Sequence, residues 1–214
     1  MSNRKDTGYY DFDLNFDELL RDSSDLEELL SYRDLKQRKL FLNDIIDSYS
    51  IEFIVKNILQ FNREDKDIPV EERTPILLYV TSNGGEVDAG FQLIDAIQNS
   101  KTPVYTINLG YQYSMALIVG LAGHKRFATR NAKFLMHDGS SFIYNSSAKA
   151  QDQMEFQARI EARTKEYILN RTKITSEEYD SKLRNEWYLF ADEAKEKGIT
   201  DFIIGEDCDI DEIV

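Results

Sequence analysis

Two histidines, His124 and His137, and one cysteine, Cys208, are all that the 214 residues hold of those types. A lone cysteine excludes an internal disulfide. Two histidines leave few groups that exchange protons near neutral pH. No grouping of Cys and His has the spacing of metal ligands, so no metal site is expected. No apolar run reaches the length of a membrane span, which argues against a transmembrane helix. Lysine and arginine number 26 against 39 acidic residues, a net charge of −13, and the basic residues nowhere cluster. Phosphate binding requires such clusters, so a nucleic-acid partner is not expected. No Gly-Lys-Ser or Gly-Lys-Thr follows any glycine turn, which excludes a P-loop NTPase. The opening MSNRKDTGYYDFDLNFDELL is acidic and interrupted by polar residues. It lacks the apolar core of a secretion signal. With the single cysteine, this makes a cytoplasmic, reducing setting the expectation.

What is present is the profile of an ordinary globular chain, 42% hydrophobic and 30% charged. The length suits one compact domain with a short extension. We read residues 1–37 as an acidic extension, 38–204 as the domain and 205–214 as an acidic tail. Acidic residues crowd positions 6–34 and return at Glu206, Asp207, Asp209, Asp211 and Glu212. The ordinary reading of such runs is a solvated surface, ahead of a docking signal. Residues 17–31 suggest short helical turns with Leu19, Leu20, Leu26, Leu29 and Leu30 as an apolar stripe. That stripe is suited to packing on a neighbour.

Within the domain, KLFLND reads as a strand and turn, and Ile51, Ile54, Ile58 and Phe61 recur at helical spacing. The charged NREDKDIPVEER is expected to bulge as a surface loop. PILLYVT, residues 75–81, is an apolar run suited to a strand buried on both faces. SNGG follows as a turn. A helix is expected over 87–98, with Val87, Phe91, Ile94 and Ile97 on its inner side. VYTIN is a second strand, Gly110 opens a turn, and a helix is expected from about Ser114 to Gly123. KFLMH gives a strand ending at His137. Helices are expected over about 150–172, from Thr175 or Ser176 with Glu178 at capping-box spacing, and over 192–197. TDFII closes the chain's strands. Strands and helices alternate throughout, which implies a layered α/β domain with a mainly parallel sheet.

Three places could carry chemistry. His137 ends an apolar strand, and strand ends in α/β sheets are where sites are built. A structural and a catalytic histidine are both consistent with that position. His124 sits in a polar turn, AGHKRF, and reads as an exposed loop residue. Ser114 stands where a strand–turn gives way to a helix, which leaves the Met115 amide a free donor. A nucleophilic serine wants that placement, because its oxyanion intermediate needs backbone N–H groups nearby. A plain helix-capping serine wants it equally. The Gly84–Gly85 pair is a second strand–glycine–helix corner, either a simple turn or a cradle of amides for an anion.

Taken in order, these segments resemble the proteolytic subunit of the Clp protease family. The resemblance rests on FLND, YVTSNGGEVDAG, GYQYSMA, AGHKRFATRNAKFLMH and LFADEAKEKGITDFI, and spans about 38–204. Asn83 stands where the family has proline. Tyr111, Gln112 and Tyr113 replace small residues, and the two tyrosines are expected to narrow a substrate groove. DGSSFIYNSSAKAQ departs from the family's Gln-Pro and glycine-rich segment, and the acidic N-terminus does not resemble its axial loops.

The resemblance implies a Clp-protease/crotonase-like layered fold with a long protruding helix. It implies a serine-type, ATP-dependent endopeptidase with Ser114 as nucleophile, His137 as general base and Glu186 as the third member. Asn185 is the rival for that third place, and Asp180 and Asp138 are further candidates. The amides of Gly85 and Met115 would form the oxyanion hole. No metal or organic cofactor is called for. The implied partners are a peptide or unfolded protein substrate, identical subunits in a heptameric or doubled ring, and an AAA+ Clp ATPase. Two other readings remain open: a catalytically weak or inactive ring subunit of the same fold, and an acyl-CoA enzyme of the crotonase type. Finding Ser114 and His137 beyond hydrogen-bond reach would favour these rivals, with allowance for the loose geometry of a site before substrate binds.

Overall fold

The structure, a computed structural model, describes residues 26–139, 147–182 and 184–214. Two compact units divide between Gln37 and Arg38. In the first, helix α1 (Leu26–Lys36) carries Arg33 and Lys36 in its last turn, where the carbonyl end of the helix favours positive charge. Of the apolar stripe read over 17–31, Leu19 and Leu20 lie outside the described residues, and the helix runs on to Lys36.

The second unit is built on a five-stranded, fully parallel sheet in the order β1 (Lys39–Leu42), β2 (Ile76–Val80), β3 (Val104–Asn108), β5 (Lys125–Thr129), β8 (Phe202–Ile204). All five residues of β2 are buried, as its continuous apolar run requires. A smaller sheet joins β4 (Tyr111–Tyr113), β6 (Lys133–Met136) and β7 (Trp187–Phe190). There β4 and β6 run parallel, and β7 is antiparallel to β6. The fold is therefore α/β with mainly parallel pairing, as expected. Strands β4, β5 and β7 were not anticipated.

Helix α2 (Ser48–Glu64) buries Ile51, Ile54, Ile58 and Phe61. Its first turn is closed by a reciprocal cap. The Asp47 carboxylate accepts from the Tyr49 and Ser50 amides, and the Ser50 hydroxyl accepts from the Asp47 amide. Helix α3 (Val87–Gln98) packs on α2. Its buried side includes Leu93, Ile94 and Ile97, while Val87, expected inside, is partly exposed. Helix α4 (Met115–Gly120) is short and largely buried. Helix α5 (Ser147–Arg171) is the long helix, followed by α6 (Ser176–Lys182) and α7 (Ala191–Glu196). The Glu178 amide donates to the Thr175 hydroxyl, the expected N-terminal cap of α6.

The charged segment after α2 is not a plain surface loop. Its middle is exposed, but Asp65 and Arg73 at its ends are buried. The Arg38 guanidinium grips both Asp65 oxygens at 2.6 and 2.7 Å, and the Thr102 hydroxyl donates to one of them at 2.8 Å. Arg73 Nε donates to the Ile68 carbonyl at 2.9 Å. This cluster ties the ends of β1, α2 and β3. The acidic C-terminus is likewise held rather than merely solvated. Asp207 accepts from the Ile203 amide, and Ile213 is buried beside Leu77, Tyr79, Ile107 and Phe127.

Candidate active site

The chain leaves β2 at Ser82 and is stitched at once to β4. The Ser82 amide donates to the Tyr111 carbonyl, and the Tyr113 amide donates back to the Ser82 carbonyl at 3.0 Å. Ser114 comes directly after this pairing. Its backbone has φ 53° and ψ −125°, a conformation few L-residues adopt. That kink turns the chain from β4 into α4 in a single residue. The Ser114 side chain is half-buried and makes no cap on α4, and among the described residues its hydroxyl has no hydrogen-bond partner. A capping serine would spend its hydroxyl on the helix amides.

The second corner lies against the first. Gly84 has φ 93°, and a Cβ placed on it would stand 2.8 Å from the Tyr113 carbonyl oxygen and 2.9 Å from the Met115 nitrogen. Only a residue without a side chain lets these two turns meet. Gly85 and Ile46 form a parallel bridge, in which the Ile46 amide donates to the Gly84 carbonyl and the Glu86 amide to the Ile46 carbonyl. Among the described residues, neither the Gly85 nor the Met115 amide donates a hydrogen bond. Met115 begins α4, and its side chain lies so close to Gly90 of α3 that a Cβ there would meet its Cε at 2.3 Å.

His137 reaches the same corner by way of β6. The Ser114 amide donates to the Leu135 carbonyl at 2.9 Å, and Tyr113 pairs with Leu135 in register. His137 lies two residues beyond Leu135, just past the end of β6, and is half-buried. In the antiparallel pair, Leu135 faces Tyr188 and Met136 faces Trp187. The pairing ends there, and His137 and Glu186 are the next residues along their two segments, at the end of the small sheet where Ser114 leaves β4.

Among the described residues, no hydrogen bond joins the Ser114 hydroxyl to the His137 ring, or that ring to Glu186. Glu186 is exposed, and its Oε2 accepts instead from the Tyr188 hydroxyl at 2.6 Å. That bond stabilises the protonated phenol and raises the Tyr188 pKa above its ordinary value. The other third-place candidates stand differently. Asn185 is exposed and its amide closes a turn on Lys182. Asp180 is paired with Lys165 at 2.6 Å on α6. Asp138 is exposed beside His137. His124 is exposed and its Nδ1 accepts from the Val104 amide at 3.0 Å, a bond that secures the start of β3.

Tyrosines flank the corner. The rings of Tyr111 and Tyr113 lie 5.0 Å apart, and Tyr113 meets Tyr188 edge to face at 6.0 Å. Gln112 points the other way and is buried against Gly120. Sequence reasoning singled out Gly84 only as one of a glycine pair, and it missed Tyr188. The aromatic run WYLF, read as a strand, would have set Tyr188 two residues beyond Glu186 at the strand's start. Among the described residues, no three His, Cys, Asp or Glu side chains come together as metal ligands would. No helix among them is long and apolar enough to cross a membrane. The segment 140–146, singled out for its departure from the family, lies outside the described residues, as do residues 1–25.

Among known proteins, a family model described as Clp protease matches residues 23–207. The ATP-dependent Clp protease proteolytic subunit 2 of Treponema pallidum (strain Nichols) is 27% identical to the chain over 186 residues. That alignment covers 86% of this chain and 90% of the relative.

Proposed function

The chain belongs to the Clp protease family, and on that premise we propose that it is a serine endopeptidase in which Ser114 is the nucleophile. His137 takes the Ser114 proton as the hydroxyl oxygen attacks a peptide carbonyl. The Gly85 and Met115 amides receive the oxyanion, and Glu186 orients and supports the imidazolium. His137 then returns its proton to the leaving amine, and water releases the acyl-enzyme.

The observation that carries this reading is the backbone of Ser114. A residue at φ 53° costs free energy that an ordinary helix cap does not require. It sets the serine beside the Met115 amide, which donates no hydrogen bond among the described residues, and its own amide is bonded to β6, the strand that leads to His137. The open Ser114–His137 geometry is compatible with this chemistry, because such bonds tighten in the Michaelis complex.

The assembly follows the family. We propose a homo-oligomeric ring, heptameric or doubled, in the cytoplasm, with α5 as its protruding helix, acting on peptides or unfolded proteins. The relative's name describes an ATP-dependent protease, which supports an AAA+ Clp ATPase partner. Residues 1–37 are proposed to be a segment outside the peptidase domain, whereas the acidic tail 205–214 packs back on that domain through Ile213.

Covalent labelling with a fluorophosphonate tests the reading. Labelling should vanish in Ser114→Ala and fall by about 100-fold or more in His137→Ala. Absence of labelling in an assembled wild-type protein, or labelling that survives Ser114→Ala, would overturn it. The first result would point to a structural ring subunit.

A further inference from the structure

Glutamate is a demanding choice for the third place. It has one more rotatable bond than aspartate, and on an exposed strand end that freedom must be lost before the carboxylate can serve a histidine. The structure contains a device that removes it. Glu186 comes immediately before β7 and Tyr188 is the strand's second residue, two positions on. The Tyr188 hydroxyl donates to Glu186 Oε2 at 2.6 Å, the short distance of a charge-assisted bond. Tyr188 is itself fixed by the edge-to-face contact with Tyr113, the residue immediately before Ser114. Tyr113, Leu135 and Tyr188 are paired across the three strands and share a face; His137 lies two residues beyond Leu135 and Glu186 two residues before Tyr188.

We propose that Tyr188 is a positioning residue, whose hydroxyl fixes the Glu186 carboxylate at the end of the small sheet where His137 stands and leaves Oε1 to accept from the imidazole. This rests on the reading of Ser114, His137 and Glu186 as one catalytic set. The arrangement makes a path of contact from the nucleophile's own strand, through two aromatic rings, to the carboxylate. It also explains why a bulky tyrosine at 113 is compatible with the site: its ring braces Tyr188.

The test is the second-order rate constant for fluorophosphonate labelling of the full chain, followed over about pH 5–9. Four proteins are compared: wild type, Tyr188→Phe, Glu186→Gln and the double variant. Tyr188→Phe removes one oxygen from a half-exposed ring and keeps the contact with Tyr113, so folding is preserved. It should slow labelling about tenfold, the scale of a hydrogen bond to a charged group. The pH profile of labelling should change in the same way as it does in Glu186→Gln. In the Glu186→Gln background the same change should have little further effect.

A wild-type rate and pH profile in Tyr188→Phe would overturn the proposal. So would an equal slowing in both backgrounds, which would mean that the ring acts independently of Glu186. Faster labelling would also overturn it, by showing that the phenol competes with His137 for the carboxylate. These outcomes are distinct from failure of the peptidase reading, in which wild type itself does not label and the proposal falls with it.

Discussion

Gly84 faces the Cβ of Ser114 so closely that a methyl group on the glycine would stand 2.9 Å from it. The same methyl would crowd the Tyr113 carbonyl and the Met115 amide, which are backbone atoms and cannot swing aside. Gly84→Ala must also hold φ 93°, which an alanine resists. The expected result is a loss of about 2 kcal/mol in stability. The Ser114 corner should shift as well, lowering the labelling rate by about 100-fold if it moves by an ångström. Denaturant melts and fluorophosphonate kinetics on the same preparation separate the two effects. A rate that stays at the wild-type value while stability falls would show that the two turns are not coupled.

Asp65 is the buried anchor of the segment between α2 and β2. Its side chain is 2% exposed, gripped by Arg38 and bonded by Thr102. The Arg38 bond holds its carboxyl below the usual carboxylate range. Asp65→Asn leaves Arg38 without a counter-charge and should cost about 3 kcal/mol at neutral pH. The sign with pH follows from the depressed folded value. The stabilisation is complete above the unfolded carboxylate pKa of about 4 and disappears as pH falls through the folded one. Urea melts at neutral pH and near pH 3 should therefore show the gap between wild type and variant narrowing in acid.

The parts of the fold that were legible in the sequence are those whose pattern is local. β2 and β3 are apolar runs bounded by turn residues, and α3 has a clear amphipathic period, so their limits agree with the structure. β4 has three residues and takes its strand form from Ser82 and β6, partners far off in the chain. β5 reads as a polar turn because Lys125 and Arg126 open it. The structure shows why it is a strand: it pairs with β3 and β8, and Arg126 is held by Asp201 and by the Arg171 and Gly198 carbonyls. The site divides in the same way. Ser114 and His137 could be singled out from the element ends they occupy, whereas the φ of Ser114 and the pairing of β7 with β6, which brings Glu186 to the end of β6, are tertiary facts. Without β7, no spacing rule could have joined Tyr188 to Glu186.

Ile213 gives a way to test how the acidic tail is held. It is 2% exposed within a cluster that includes Tyr79 and Phe127, and its carbonyl accepts from the Tyr79 hydroxyl. Ile213→Ala should destabilise the chain by about 2 kcal/mol. It should also speed protease cleavage of the segment after Gly205, with labelling at Ser114 unchanged. A melting temperature equal to wild type would mean that the tail's contacts contribute nothing net.

Ser114 itself offers the sharpest separation of stability from chemistry. Its backbone angles are costly for a residue with a Cβ, by roughly 1–3 kcal/mol. Glycine pays no such strain but loses more chain entropy on folding, about 0.5–1 kcal/mol. The balance favours Ser114→Gly, which should be more stable than wild type by about 1 kcal/mol while losing all labelling. Ser114→Ala keeps the Cβ and its strain, so it should lose labelling with no gain in stability. The comparison that decides is the difference in unfolding free energy between the glycine and alanine variants. A glycine variant no more stable than the alanine one would mean that the corner is not strained, and would remove the main argument that this serine is held in place for chemistry.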